Sequence, residues 1–293
     1  MTATEERPVT KESGMSPETR KRMGTAAVGV AAWIIGLLFV TPVLYMLLTS
    51  LHSEPAAATN PPSFFAPLTL EGYQNFFGAA SGASPWPPLI NSATASILST
   101  IFVLVLAIPA AYALSIRPVK KWTDVMFFFL STKMLPVVAA LLPIYLIVQK
   151  IGMLDNIYTL VILYTSMNLP IAVWMMRSFL AEVPVEMLEA ASLDGAGLMR
   201  QLFSVVVPVV LPGIAATSLI CFIFSWNEFM FAVNLTATNA STAPVFLVGF
   251  ITSEGLFLAR LCAAATLVSL PVLIAGFAAQ DKLVRGLSLG AVK

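Results

Sequence analysis

Six stretches of this 293-residue chain are long enough to cross a bilayer and carry almost no charge. An α-helix rises about 1.5 Å per residue, so roughly 20 apolar residues span the hydrocarbon core. Residues 25–51, 89–116, 157–176, 202–226 and 261–279 contain no Asp, Glu, Lys or Arg, and residues 125–148 contain only Lys133. A soluble domain needs about 25% charged residues to coat its surface; this chain has 11%, with 58% hydrophobic. The expected fold is therefore all-α with six transmembrane helices. Interior prolines such as Pro109, Pro136 and Pro170 fit it, because neighbouring helices satisfy the backbone groups they free.

Orientation follows from the basic residues. All 16 Lys and Arg, except Lys133, Lys150 and Arg260, fall in segments that share one side when the N-terminus is inside. The positive-inside rule then places both termini in the cytoplasm. The first apolar run far exceeds the roughly 7–15 residues of a signal-peptide core, which makes it an uncleaved span. Residues 1–24 read as a disordered cytoplasmic N-terminus, 25–282 as the six-span domain, and 283–293 as a cytoplasmic tail. Net charge is +1, so no nucleic-acid partner is expected. Cys221 and Cys262 sit in apolar runs without metal or redox spacing and read as packing residues.

Two loops face outward in this orientation. Residues 52–88 are rich in proline and in rings (Phe64, Phe65, Tyr73, Phe76, Phe77 and Trp86), suited either to an interfacial belt or to an external docking surface. Residues 227–260 contain a Thr/Asn/Ser-rich loop from Asn234 to Thr242.

The inner segment 177–201 is too polar for lipid and too patterned for a slack linker. Pro184 suits the first helical position; Glu182, Glu186 and Glu189 share one face, and Val185 and Leu188 lie on another. Asp194-Gly195 supplies a stop, after which a second helix leads through Phe203 to Pro208. On the residues alone, this is either an amphipathic connector on the membrane surface or an element built for a protein groove.

The motif in that segment, Glu189-Ala190-Ala191-Ser192-Leu193-Asp194-Gly195 followed by Val205-Val206-Val207-Pro208, resembles the EAA loop of binding-protein-dependent ATP-binding-cassette permeases. The family pattern reads EAA-x-x-x-G and then I-x-L-P at the same distance, with Val here at the Ile and Leu positions. Ser225-Trp226-Asn227-Glu228 and the tail from Leu283 to Lys293 resemble the carbohydrate branch, which includes the maltose permeases. Lys133-Met134-Leu135-Pro136 and Glu254-Gly255-Leu256-Phe257 are similar to the mannitol/sorbitol permeases.

The resemblance implies the type I importer permease fold, with a coupling helix between spans four and five. It also implies a second permease subunit, two ATPase subunits that carry ATP and magnesium, and an extracytoplasmic solute-binding protein. The chain itself is expected to hold no cofactor or metal and to perform no catalysis. Consistent with this, it has no G-x-x-x-x-G-K-S/T phosphate loop, and its single histidine, His52, builds no zinc site. Val185, Leu188 and Ala191 are expected to pack into the ATPase groove, with Glu189 fixing register. Ala190, Asp194, Gly195 and Pro208 complete the coupling loop, and the tail either touches the ATPases or hangs free.

Candidate pathway residues are Lys133, Asn168, Asn227 and Glu228. Lys133 lies about 8 residues, or roughly 12 Å, from the inner end of the third span. It is expected to face a cavity, snorkel, or pair with a partner subunit. Asn168, with Tyr164 and Trp174, suits either a sugar ring or helix packing; Asn227 and Glu228 suit either an external mouth or capping. A secondary transporter fits less well because the spans hold no carboxylate, and a membrane enzyme fits less well because no cluster of His, Asp, Glu or Cys gathers at one face.

Overall fold

A computed structural model of the chain describes residues 17–59, 63–78, 84–116, 119–252 and 255–291. The chain divides after Leu48 into two compact units. The described part of the first is the helix α1 (Pro17–Ser50), which after a charged first stretch is apolar around its circumference from Gly24 on, as a helix facing lipid must be. The helix begins at Pro17, within the segment 1–24 expected to be a disordered N-terminus; residues 1–16 lie outside the described residues.

The second unit opens with two short helices, α2 (Glu54–Ala57) and α3 (Glu71–Phe77), followed by the long α4 (Trp86–Ser115). Pro87 and Pro88 occupy the first turn of α4, where a missing N–H is harmless. The buried face of α4 is a stripe of small residues, including Ser92, Ala95, Ser96, Ser99, Ala107 and Ala111, which lets neighbouring backbones approach closely. Ile97, Ile101, Phe102 and Val105 stay exposed on its other side.

Next come α5 (Trp122–Thr132) and α6 (Val137–Lys150), then α7 (Ile157–Leu180), whose first turn is capped by the Asn156 side chain accepting from Tyr158 N at 2.9 Å. Helix α7 packs along α4 and contributes Leu160, Tyr164, Ala172, Val173, Met176 and Leu180 to the interior. The polar α8 (Val185–Leu193) and α9 (Leu198–Arg200) follow, and then a largely apolar π-helical turn (Gln201–Val206) and α10 (Val207–Val209). Then come α11 (Leu211–Trp226), α12 (Met230–Leu235) and α13 (Ala243–Val248). A two-stranded pairing of β1 (Ile251–Thr252) with β2 (Gly255–Leu256) leads into α14 (Leu258–Ala291). The backbone stays helical to Ala291, through most of the segment read as a tail from Leu283.

Among the described residues four helices, Gly24–Ser50, Trp86–Ser115, Ile157–Leu180 and Leu258–Gln280, are long and apolar enough to cross a membrane, and up to six spans result if each of two bent pairs counts as one. The bent pairs correct the expectation of continuous spans. Helices α5 and α6 meet at 83°, and the Leu198–Val209 segment meets α11 at 81°. Pro136 explains the first break: it has no N–H to give, and its own backbone is extended (ψ 124°) as the N-cap of α6. Pro208 and Pro212 flank the second break at Val210.

Candidate functional site

The element containing the EAA-like motif is a helix, a left-handed stop and a π-turn. Pro184 is the N-cap of α8, with extended backbone, one position before the first helical turn in which it was expected. At the other end Gly195 takes φ +74°. The N–H of Ala196 donates to Ala191 O at 2.9 Å and that of Gly195 to Ser192 O at 3.0 Å, the paired bonds of a Schellman stop. Gly195 was expected to end the helix, and this is how it does so.

Which side of α8 faces inward was not legible from the sequence. Leu188 is 9% exposed and joins a buried cluster with Tyr112, Leu180, Leu202 and Val206. It therefore cannot enter a partner's groove as expected; it anchors α8 to its own chain. The apolar side chains left outside are Val185 (57% exposed), Leu193 (90%), Leu198, Met199 and Phe203. Glu189, Ala190 and Asp194 are exposed, Ala191 is half-buried, and Pro208 is exposed in α10. Nearby, Gly213 lies under the Phe179 ring, which a Cβ there would overlap, so α11 starts tight against α7.

Sequence reasoning missed Gln201. It is 4% exposed, and its Nε2 donates to Ser192 Oγ at 2.9 Å and to Ala196 O at 2.8 Å. The Tyr112 hydroxyl approaches its Oε1 at 3.5 Å. A polar residue between Arg200 and the apolar run from Leu202 was the only signal available.

Lys133 stands at the C-cap of α5, at the 83° break rather than inside a helix. Its Nζ donates to Met167 O at 2.7 Å, beside Pro170, whose ring disturbs the carbonyls one turn earlier in α7. Pairing with a backbone carbonyl is one of the few ways to keep an ammonium at membrane depth. Lys133, Thr132, Thr165 and Ser166 are the polar members of an open cavity of about 650 Å³, otherwise lined by residues such as Phe128, Leu135 and Phe231.

The other pathway candidates are placed differently. Asn168 is fully buried between helices, donating to Ser225 Oγ at 2.9 Å, while Ser225 and Ser99 share a hydrogen bond of 3.0 Å. It binds α4, α7 and α11 together and does not line the cavity. Glu228 caps α12, accepting from Phe231 N at 2.8 Å and Ala232 N at 3.3 Å. Asn227 is exposed and folds back on Ile223 O at 2.9 Å. Among the described residues no group of three or more His, Cys, Asp or Glu converges on a metal position.

At the opposite end of α7, the Thr/Asn/Ser-rich loop is wrapped around one carboxylate. Asp155 accepts from the N–H groups of Ala237 (2.9 Å), Thr238 (3.2 Å), Asn239 (3.0 Å) and Ala240 (2.9 Å). Asn91 of α4 ties the same turn by donating to Asn239 O and Ser241 O. Burial pushes the Asp155 carboxyl up, but the four N–H donors outweigh it and hold its pKa at about 2. Because this lies below the unfolded value near 3.9, the turn is held fully above pH ~4 and released as pH falls through about 2. Asp155→Ala is expected to raise amide exchange at Ala237–Ala240 already at pH 7, and unchanged protection there would show that the carboxylate does not hold the turn. Elsewhere Glu54 caps α14, accepting from Ala259 N and Arg260 N at 3.0 and 2.9 Å.

Residues 97–289 match the family model described as binding-protein-dependent transport system inner membrane component. The chain is 35% identical over 281 residues to the probable ABC transporter permease protein y4oR of Sinorhizobium fredii, covering 96% of this chain and 99% of that one. It is 30% identical over 277 residues to the diacetylchitobiose uptake system permease DasC of Streptomyces coelicolor, with coverage of 94% and 99%. Among solved structures it aligns with a chain of a bacterial ABC transporter involved in import of the acidic polysaccharide alginate. That match has a TM-score of 0.73 at 22% identity and covers 92% of this chain and 98% of that one.

Proposed function

The chain belongs to the binding-protein-dependent transport system inner membrane component family, and from that membership we propose that it forms half of the pathway of an ATP-driven importer for a sugar or sugar alcohol. Its fold is the type I importer permease fold. In the proposed complex a second permease completes the path, two ATPase subunits bind ATP and magnesium, and a solute-binding protein delivers solute from outside. The chain holds no cofactor, and both termini lie in the cytoplasm of an inner-membrane protein.

The observation that carries this reading is the exposed apolar crest of the α8 element. Val185, Leu193, Leu198 and Met199 stand out of a segment that also exposes Glu182, Glu186, Glu189 and Asp194. Lipid does not reward that mixture, whereas an amphipathic helix laid in a protein groove buries it. We assign α8 as the coupling helix seated in an ATPase groove, with Val185 and Leu193 as its apolar contacts and Glu189 as its polar one. The similarity to a diacetylchitobiose permease supports a carbohydrate. The Lys133-Met134-Leu135-Pro136 stretch supports a polyol. Lys133, which lines the 650 Å³ cavity, is the residue assigned to solute hydroxyls.

Purification of the tagged chain from native membranes in mild detergent tests the reading. A second permease and an ATPase are expected to accompany it, and uptake is expected to fall at least ~10-fold in Lys133→Met, about the value of one hydrogen bond to a charged group. Recovery of the chain alone, active in liposomes without ATP, overturns the importer assignment. Unchanged uptake in Lys133→Met removes only the solute-contact role.

A further inference from the structure

The Gln201 amide sits where three parts of the chain meet. Its Nε2 uses both hydrogens, one on Ser192 Oγ in the last turn of α8 and one on Ala196 O just beyond the Gly195 stop. Ser192 Oγ in turn donates to Leu188 O at 2.8 Å, so the bond reaches the backbone of α8. On the other side Tyr112 of α4 approaches Oε1. Gln201 is itself the first residue of the π-turn, and the 81° break at Val210 follows after the three residues of α10.

We propose that Gln201 is the positioning residue that locks α8 to the π-turn, so that a displacement of α8 passes into α11 and α4 instead of being absorbed in the Gly195–Gly197 link. This rests on the reading of α8 as the coupling helix. The apolar contact of Leu188 with Leu202 and Val206 holds the two parts together, but apolar packing has no direction and permits sliding. Two short hydrogen bonds from one nearly buried amide fix register, because any slip leaves buried donors unpaired. The link they bridge contains two glycines and would otherwise flex freely. A π-turn is a wide, weakly held helical turn that recurs at functional sites. With α8 locked to the start of the π-turn, the segment from Val185 to Val209 moves as one body, and the backbone bonds Val210 N to Val206 O and Ile214 N to Val210 O carry that motion across the break into α11.

The test uses the complete importer in liposomes, with Gln201→Met (similar length, no hydrogen-bonding group) and Ser192→Ala (one arm of the clasp removed at an exposed position). In both variants the ATPase subunits are expected to remain bound in wild-type amount. Uptake is expected to fall, about 10-fold in Gln201→Met and less in Ser192→Ala, while ATP hydrolysed per solute imported rises several-fold. The double variant is expected to behave like Gln201→Met alone, since the two residues share one bond.

If uptake and hydrolysis fall together in proportion to assembled complex, Gln201 is a fold residue and the proposal is overturned. An unchanged ATP-to-solute ratio overturns it as well. Should Gln201→Met fail to assemble, the ratio measured in Ser192→Ala decides. Failure of the coupling-helix assignment itself is recognised separately: Val185→Asp then keeps both its ATPase subunits and full uptake.

Discussion

Gly195→Asp is expected to abolish uptake, by about 100-fold or more, while the chain itself loses only about 1 kcal/mol. The small stability cost follows from two facts. Gly195 sits at φ +74°, a left-handed conformation that costs an L-residue roughly 1–2 kcal/mol, and less for Asp or Asn. A Cβ at this position meets nothing within 4 Å, so no clash is added inside the chain. A loss of that size lowers the melting temperature by only about 2–4 °C. The functional loss must then arise on the open side, where the proposed ATPase surface approaches the turn. Gly195→Asn separates the causes, since Asn tolerates the same backbone without charge. Loss in both variants indicates close approach of the partner; loss in Asp alone indicates charge. Normal uptake in Gly195→Asp, in protein that stays folded, removes the turn from coupling.

Leu188→Ala and Val185→Ala, only three residues apart, are expected to fail in opposite ways. Leu188 is buried with Tyr112, Leu180, Leu202 and Val206, and shortening it leaves a cavity worth about 2–3 kcal/mol. That corresponds to a fall of roughly 5–10 °C in melting temperature, with α8 loosened from the π-turn. Val185 is largely exposed, and its truncation is expected to change stability by no more than about 0.5 kcal/mol. Its effect appears instead as weaker retention of the ATPase subunits on purification. A thermal melt of each variant, paired with the yield of co-purified ATPase, reads both. Should Leu188→Ala melt like the parent while Val185→Ala melts early, the two faces of α8 are assigned the wrong way round.

The pair also shows why a periodic pattern stops short of a site. Val185 and Leu188 share a helical face by spacing, yet one is inward and the other outward in the folded chain. Spacing tells that an apolar side chain is covered by something, and a chain's own core and a partner's groove are equally apolar. Asn168 carries the same lesson: a polar residue within a span reads as a pathway contact or as packing, and its bond to Ser225 makes it packing. For Glu228 the alternatives were an external mouth or a cap, and its carboxylate caps α12.

By itself the sequence determined the membrane character, the location of the apolar runs and the left-handed stop at Gly195. Each depends on residues adjacent in the chain and on the cost of moving charge out of water, so no distant partner is needed to foresee it. Only the tertiary structure decided that the third run breaks at Lys133 and that Leu188 turns inward. It also decided that Gln201 spans α8 and the π-turn, and that Asp155 gathers the N–H groups of Ala237–Ala240. Those outcomes rest on which groups meet after the helices have packed. Lys133 finds its carbonyl on α7, and Asp155 finds its donors beyond α11 and α12. A hydrogen bond across such a distance leaves no periodicity in the sequence, because its geometry exists only once the bundle has formed.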